Sequence, residues 1–133
     1  MSATPPLPQP TTWGHNYVDV AAMPWEDTPT PGSRRKVLYR NEATGQATIL
    51  YEAQPGATIV LHEHPELEQT FVLEGRLVDH LGECTAGNFV WRSPGSIHTA
   101  HCPDGAKYIV FYMKPIKRLA PQGDTALHLS TRL

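Results

Sequence analysis

Cysteine is scarce in this chain: Cys84 and Cys102 are the only two in 133 residues. Two thiols cannot build the disulfide framework of a small secreted scaffold, and a reduced cytoplasmic protein is the simplest expectation. No apolar run approaches membrane-spanning length, and the start, Met1-Ser2-Ala3-Thr4-Pro5-Pro6, has neither the cationic nor the apolar stretch of a secretory signal. Positive charge is not in excess, since 11 Lys and Arg against 13 Asp and Glu leave a formal net charge of −2. Arg34-Arg35-Lys36 is a short basic run that reads as a solvated strand entry. The expectation is therefore no nucleic-acid partner and no membrane partner. Also missing are a Ser/His/Asp set on a nucleophile turn, a phosphate-cradling Gly loop, a CxxC pair and the sustained i, i+3, i+4 apolar spacing of helices.

What is present is proline at one end and β texture over the rest. Residues 5–31 hold most of the 13 prolines, with Trp13, Tyr17 and Trp25 among them. Such a segment forms neither long helices nor central strands. Residues 1–34 are expected to be a Pro-rich arm, disordered over 1–12 and packed along a surface beyond that. Residues 35–118 read as one β domain and 119–133 as a polar tail. Eight strands are predicted: Arg35–Arg40, Gln46–Glu52, Thr58–His62, Gln69–Leu73, Arg76–His80, Asn88–Arg92, His98–His101 and Lys107–Lys114. Turn residues separate them, and the pattern is that of an all-β barrel or jelly-roll sandwich. In Tyr108-Ile109-Val110-Phe111-Tyr112-Met113 neither parity is polar. Exposed apolar strand faces are normally covered, so a homodimer is expected.

The chemistry is concentrated between Gly56 and His98. Gly56-x5-His62-x-His64-x3-Glu68-x6-Gly75 is followed by Gly87 and then by Gly95-x2-His98. Side chains two apart in a strand share a face, so His62 and His64 point into one cavity if Ile59-Val60-Leu61 leads a strand into them. Pro65 removes a backbone donor and ends that strand, which lets the chain turn and bring Glu68 alongside. Three imidazoles and a carboxylate suit a divalent transition metal, with one or two positions open to water, O2 or a chelating substrate. The expected ligands are His62, His64, Glu68 and His98, with Glu66 or Gln69 as substitutes for Glu68 if the turn is longer. Glu63, Glu66, Gln69 and Thr70 are candidates to accept the histidines' other N–H. Cys102 shares parity with His98 and reads as a small buried hydrophobe. His101 falls on the opposite face, and His15, His80 and His128 have no partner pattern. Arg92 is either a partner for Glu68 or an anionic substrate, or a solvated strand end.

These residues closely resemble the cupin superfamily. Its first motif, G(X)5HXH(X)3–4E(X)6G, is matched by Gly56, His62, His64, Glu68 and Gly75. Its second, G(X)5PXG(X)2H(X)3N, is matched by Gly87, Gly95 and His98, with Ser93 where Pro is usual and Cys102 where Asn is usual. The run from His62 to Glu68 with Phe71-Val72-Leu73-Glu74-Gly75-Arg76-Leu77 is similar to ChrR-type cupin domains and to small dioxygenases that cleave C–C bonds in β-diketones or hydroxyacetophenones. The resemblance implies a single-domain cupin β-barrel. The ChrR anti-sigma role uses a further N-terminal helical domain with its own His/Cys zinc site, which residues 1–34 do not supply.

Three functions follow. The first is a mononuclear non-haem Fe(II) dioxygenase acting on a small diketone or aromatic ketone, with Val60, Val72, Val90, Arg92 and Phe111 shaping the pocket. The second uses Mn, Ni or Zn as a Lewis acid for isomerase or lyase chemistry without O2. The third is a non-catalytic metal- or ligand-binding barrel.

Overall fold

The computed structural model describes residues 14–119, and the expectations for 1–12 and for the tail beyond 119 lie outside the described residues. Ten strands run β1 (Glu26–Asp27), β2 (Ser33–Arg40), β3 (Ala47–Ala53), β4 (Ala57–His64), β5 (Glu68–Asp79), β6 (Gly82–Thr85), β7 (Phe89–Arg92), β8 (Ser96–Cys102), β9 (Ala106–Tyr112) and β10 (Lys117–Arg118). No helix occurs among the described residues. All pairings are antiparallel, and the strand order is β1-β2-β3-β9-β5-β8-β4-β10, with β6 and β7 also paired to β5.

Strand β5 joins the two leaves of this jelly-roll barrel. Its first half lies between β9 and β7, and its second half pairs with β6 and touches β8 at Val78. The sequence predicts two strands here, separated by a turn at Glu74-Gly75, and the structure has one continuous strand. Gly75 explains the difference. Its φ of 70° bends the chain without ending the pairing, beside a register shift between Val72 and Glu74. A Cβ at this position would collide with the carbonyl oxygen of Gly105.

Inward-facing residues alternate as a two-residue period demands. Val72, Leu77, Cys84, Cys102, Tyr108 and Val110 belong to the main buried cluster. Val72 and Cys102 are completely buried, so Cys102 is a packing residue of the barrel floor. Gly82–Thr85 is a short strand where the sequence predicts only a turn, and its contribution to the core is Cys84. Within the described part of the N-terminal segment, Trp25 lies against the cationic groups of Arg34 and Lys36, each 4.6 Å from its ring centre. The Lys36 ammonium donates to the Val20 carbonyl at 2.7 Å.

Candidate metal centre

Strands β4 and β8 bring the histidines together. His62 pairs directly with His98, and His64 with Ser96. Directly opposed residues of an antiparallel pair share a face, so the three imidazoles crowd one side of a two-strand ribbon. One ring nitrogen from each of His62, His64 and His98 lies within 4.8 Å of the others, and all three residues are buried.

A bulge makes this possible. Between Ile59 and His62 the register shifts, so three steps along β4 match two along β8, from Ala100 to His98. The extra residue reverses the parity that simple alternation predicts. Ile59 lines the cavity while Val60 turns to solvent, 47% exposed. The Val60 carbonyl instead accepts a bond from His62 Nδ1 at 2.7 Å, which leaves Nε2 as the free donor atom.

His64 and His98 face each other with 3.0 Å between their Nε2 atoms. Two neutral imidazoles can meet this way only if one nitrogen carries a proton and the other offers its lone pair. On its far side, His64 Nδ1 is 2.9 Å from Glu68 Oε2. Glu68 is therefore placed as the partner of His64, outside the trio of convergent nitrogens. Its other oxygen is 3.4 Å from the Thr70 hydroxyl and 3.8 Å from Arg92 Nε.

Asp79, which the sequence pattern does not single out, also reaches the centre. Its Oδ1 accepts the backbone N–H groups of Leu81 and Gly82, and its Oδ2 accepts from Arg92 Nη1 at 2.9 Å. The same oxygen is 3.2 Å from His98 Nδ1, close enough for an ion-pair contact but without hydrogen-bond alignment. The available signal was parity: Asp79 shares a face with Leu77, a carboxylate on the inward row of a strand. Burial works to raise the Asp79 pKa, and the Leu81 N–H, Arg92 and His98 outweigh it and hold the carboxyl below its usual range.

Burial lowers the pKa of two of the imidazoles, His62 and His98. His62 falls to about 4, chiefly by desolvation, which outweighs the Val60 carbonyl. His98 falls to about 3, by desolvation and then by the Arg92, His62 and His64 charges, against Asp79. Three converging ring nitrogens, each ring with its second nitrogen near a carbonyl or carboxylate, fit a divalent transition ion.

The adjoining cavity holds about 80 Å³ and is lined by Ile59, Thr70, Arg92, Tyr51, Tyr108 and Tyr112 among others. The Tyr51 and Tyr112 hydroxyls are 2.9 Å apart. Burial raises the pKa of Tyr51, Tyr108 and Tyr112, so all three are neutral phenols. Of the residues expected to shape the pocket, Arg92 lines it and the other four do not. Val72 lies deeper, in the core, and Val90 packs against that core. Val60 is turned out by the bulge, and Phe111 is turned out by alternation, since Tyr108, Val110 and Tyr112 occupy the inward row of β9. Glu66, His80 and His101 are exposed.

An antiparallel barrel with three buried imidazoles at its centre defines a metal-binding cupin. More particularly, the chain belongs to the ChrR cupin-like domain family, whose model matches residues 14–117. Solved structures share the fold. A candidate acetylacetone dioxygenase from Methylibium petroleiphilum superposes with a TM-score of 0.76 at 19% identity, covering 82% of this chain and 83% of the other. An acetylacetone dioxygenase from Acinetobacter johnsonii gives 0.75 at 17%, covering 82% and 80%. The anti-sigma factor ChrR of Rhodobacter sphaeroides, solved in complex with SigE, gives 0.60 at 21%, covering 70% and 50%. No curated protein matches the sequence.

Proposed function

We propose that this chain is a mononuclear non-haem Fe(II) dioxygenase that cleaves a C–C bond in a small diketone or aromatic ketone. The observation that carries this reading is the trio His62, His64 and His98, buried, with one ring nitrogen of each converging, beside a cavity that His62 and His98 line. His62, His64 and His98 would hold a ferrous ion, which would supply electrons for O2 and polarise a chelated carbonyl. The likeness to acetylacetone dioxygenases supports the substrate class. Other divalent ions that suit the same donors are Zn, Mn and Ni.

The chain's own groups do the rest. Val60 and Glu68 meet the second nitrogens of His62 and His64, and Asp79 lies 3.2 Å from that of His98, so the three rings are held facing one another. Glu68 also lines the cavity, where its carboxylate is the base placed to take the proton between two carbonyls. Arg92 lies between Glu68 and Asp79 and helps to hold the Asp79 carboxyl below its usual range. In the same reading, the outward row of Phe71, Phe89, Trp91, Ile109, Phe111 and Met113 packs against a second copy. Phe71 pairs directly with both Phe89 and Ile109, so this exposed apolar row is continuous across β7, β5 and β9.

The test is O2 consumption by Fe(II)-loaded protein with a panel of β-diketones and aromatic ketones. Uptake matched to substrate loss, abolished by His98→Ala, is expected. No uptake with any of them overturns the reading. Turnover that persists without O2 assigns the Lewis-acid alternative, and tightly held zinc with no exchangeable position assigns the non-catalytic barrel.

A further inference from the structure

A second cavity of about 380 Å³ lies against the metal cavity and shares four lining residues with it: Arg35, Tyr51, Tyr112 and Ile116. The partition is therefore one side chain thick. Within it the Tyr51 and Tyr112 hydroxyls, two neutral groups, are bonded at 2.9 Å. Beyond the partition, Ala47, Ile49 and Pro115 supply an apolar surface, and Arg40 and Glu42 stand 4.0 Å apart on the polar side.

We propose that this outer cleft is the subsite for the substrate's tail, an aryl or alkyl substituent, while the oxygen-bearing head sits beside His62, His64 and His98. This rests on the metal-centre reading, not on the oxidation itself. Volume is the first argument. The inner cavity of about 80 Å³ accommodates only a few heavy atoms, whereas the outer one is several times larger. Chemistry is the second. The His62 and His98 imidazoles line only the inner cavity, and Ala47, Ile49 and Pro115 line only the outer one, an arrangement that fixes one polar end and buries one apolar end. Tyr51 and Tyr112 belong to both chambers, with rings for the tail to pass and hydroxyls to meet the head.

The test uses unreactive bidentate oxygen chelators, so it is independent of turnover. Acetohydroxamate carries the head alone, and benzohydroxamate adds an aryl tail. Binding of each to Co(II)-loaded protein is followed by the visible spectrum. Benzohydroxamate is expected to bind at least tenfold more tightly. Pro115→Trp, which fills the cleft from an exposed position, is expected to bring the ratio of the two affinities to within twofold of unity. In the unaltered protein, methyl resonances of Ala47 and Ile49 shift with benzohydroxamate and not with acetohydroxamate. Equal affinities, a ratio unchanged by Pro115→Trp, unmoved methyl resonances, or no binding of either chelator overturns the proposal. Absence of O2 consumption alone bears only on the dioxygenase reading.

Discussion

Replacing Asp79 by Asn tests whether the metal centre is built by its surroundings as well as by its ligands. The change keeps the shape and removes the charge. Asp79 accepts two backbone N–H groups through Oδ1 and the Arg92 guanidinium through Oδ2, with its side chain only 8% exposed. An Asn that keeps the backbone bonds turns its amide N–H groups towards Arg92 and His98, donor against donor. A buried, charge-assisted bond of this kind contributes about 2–3 kcal/mol, and Glu68, 3.8 Å from Arg92, recovers only part of it. We expect metal-free Asp79→Asn to lose about 2 kcal/mol in urea unfolding. We also expect its affinity for Zn(II) or Co(II), measured against a competing chelator, to fall roughly 10- to 100-fold, the range for lost partners of metal-binding histidines. Asp104→Asn, at an exposed carboxylate paired with Arg76, is the control. Metal affinity within twofold of the unaltered protein would refute the role given to Asp79.

The depressed imidazoles predict how acid acts on the metal-free protein. His62 and His98 titrate near 4 and 3 in the fold, against 6.5 in the unfolded chain, so between those values the unfolded state binds more protons. Stability is thus complete above about pH 6.5 and is lost as pH falls towards 4, by about 3 kcal/mol for His62 alone; urea midpoints that stay flat from pH 7 to 4.5 would count against it. Gly75→Ala puts a Cβ into the Gly105 carbonyl at a φ of 70°, and should cost about 3 kcal/mol or more in denaturant melts. Trp91→Glu with Phe111→Glu should yield a monomer by analytical ultracentrifugation where the unaltered chain sediments as a dimer, and a monomeric parent would disprove the face-to-face pairing.

Turn residues and period-2 runs made the all-β class readable from the chain, and the spacing His62-x-His64 with the later His98 made the three imidazoles readable too, because both signals are local. The strand break expected at Gly75 was not realised, since a glycine can bend a strand as well as end it, and only the neighbouring Gly105 carbonyl reveals which. Val60 and Ile59 exchanged places for a similar reason. A bulge is a mismatch between two strands, and neither β4 nor β8 alone records it.

What the amino-acid order determined by itself, then, was donor chemistry and the alternation that carries it, because residue type and strand period are properties of short stretches. Tertiary structure alone decided which carboxylate meets which ring. Asp79, at the end of β5, reaches His98 on β8, and Tyr51 reaches Tyr112 from the adjacent β3 and β9. Those contacts depend on how strands pair and where a register slips, so their energy is not visible until the barrel closes.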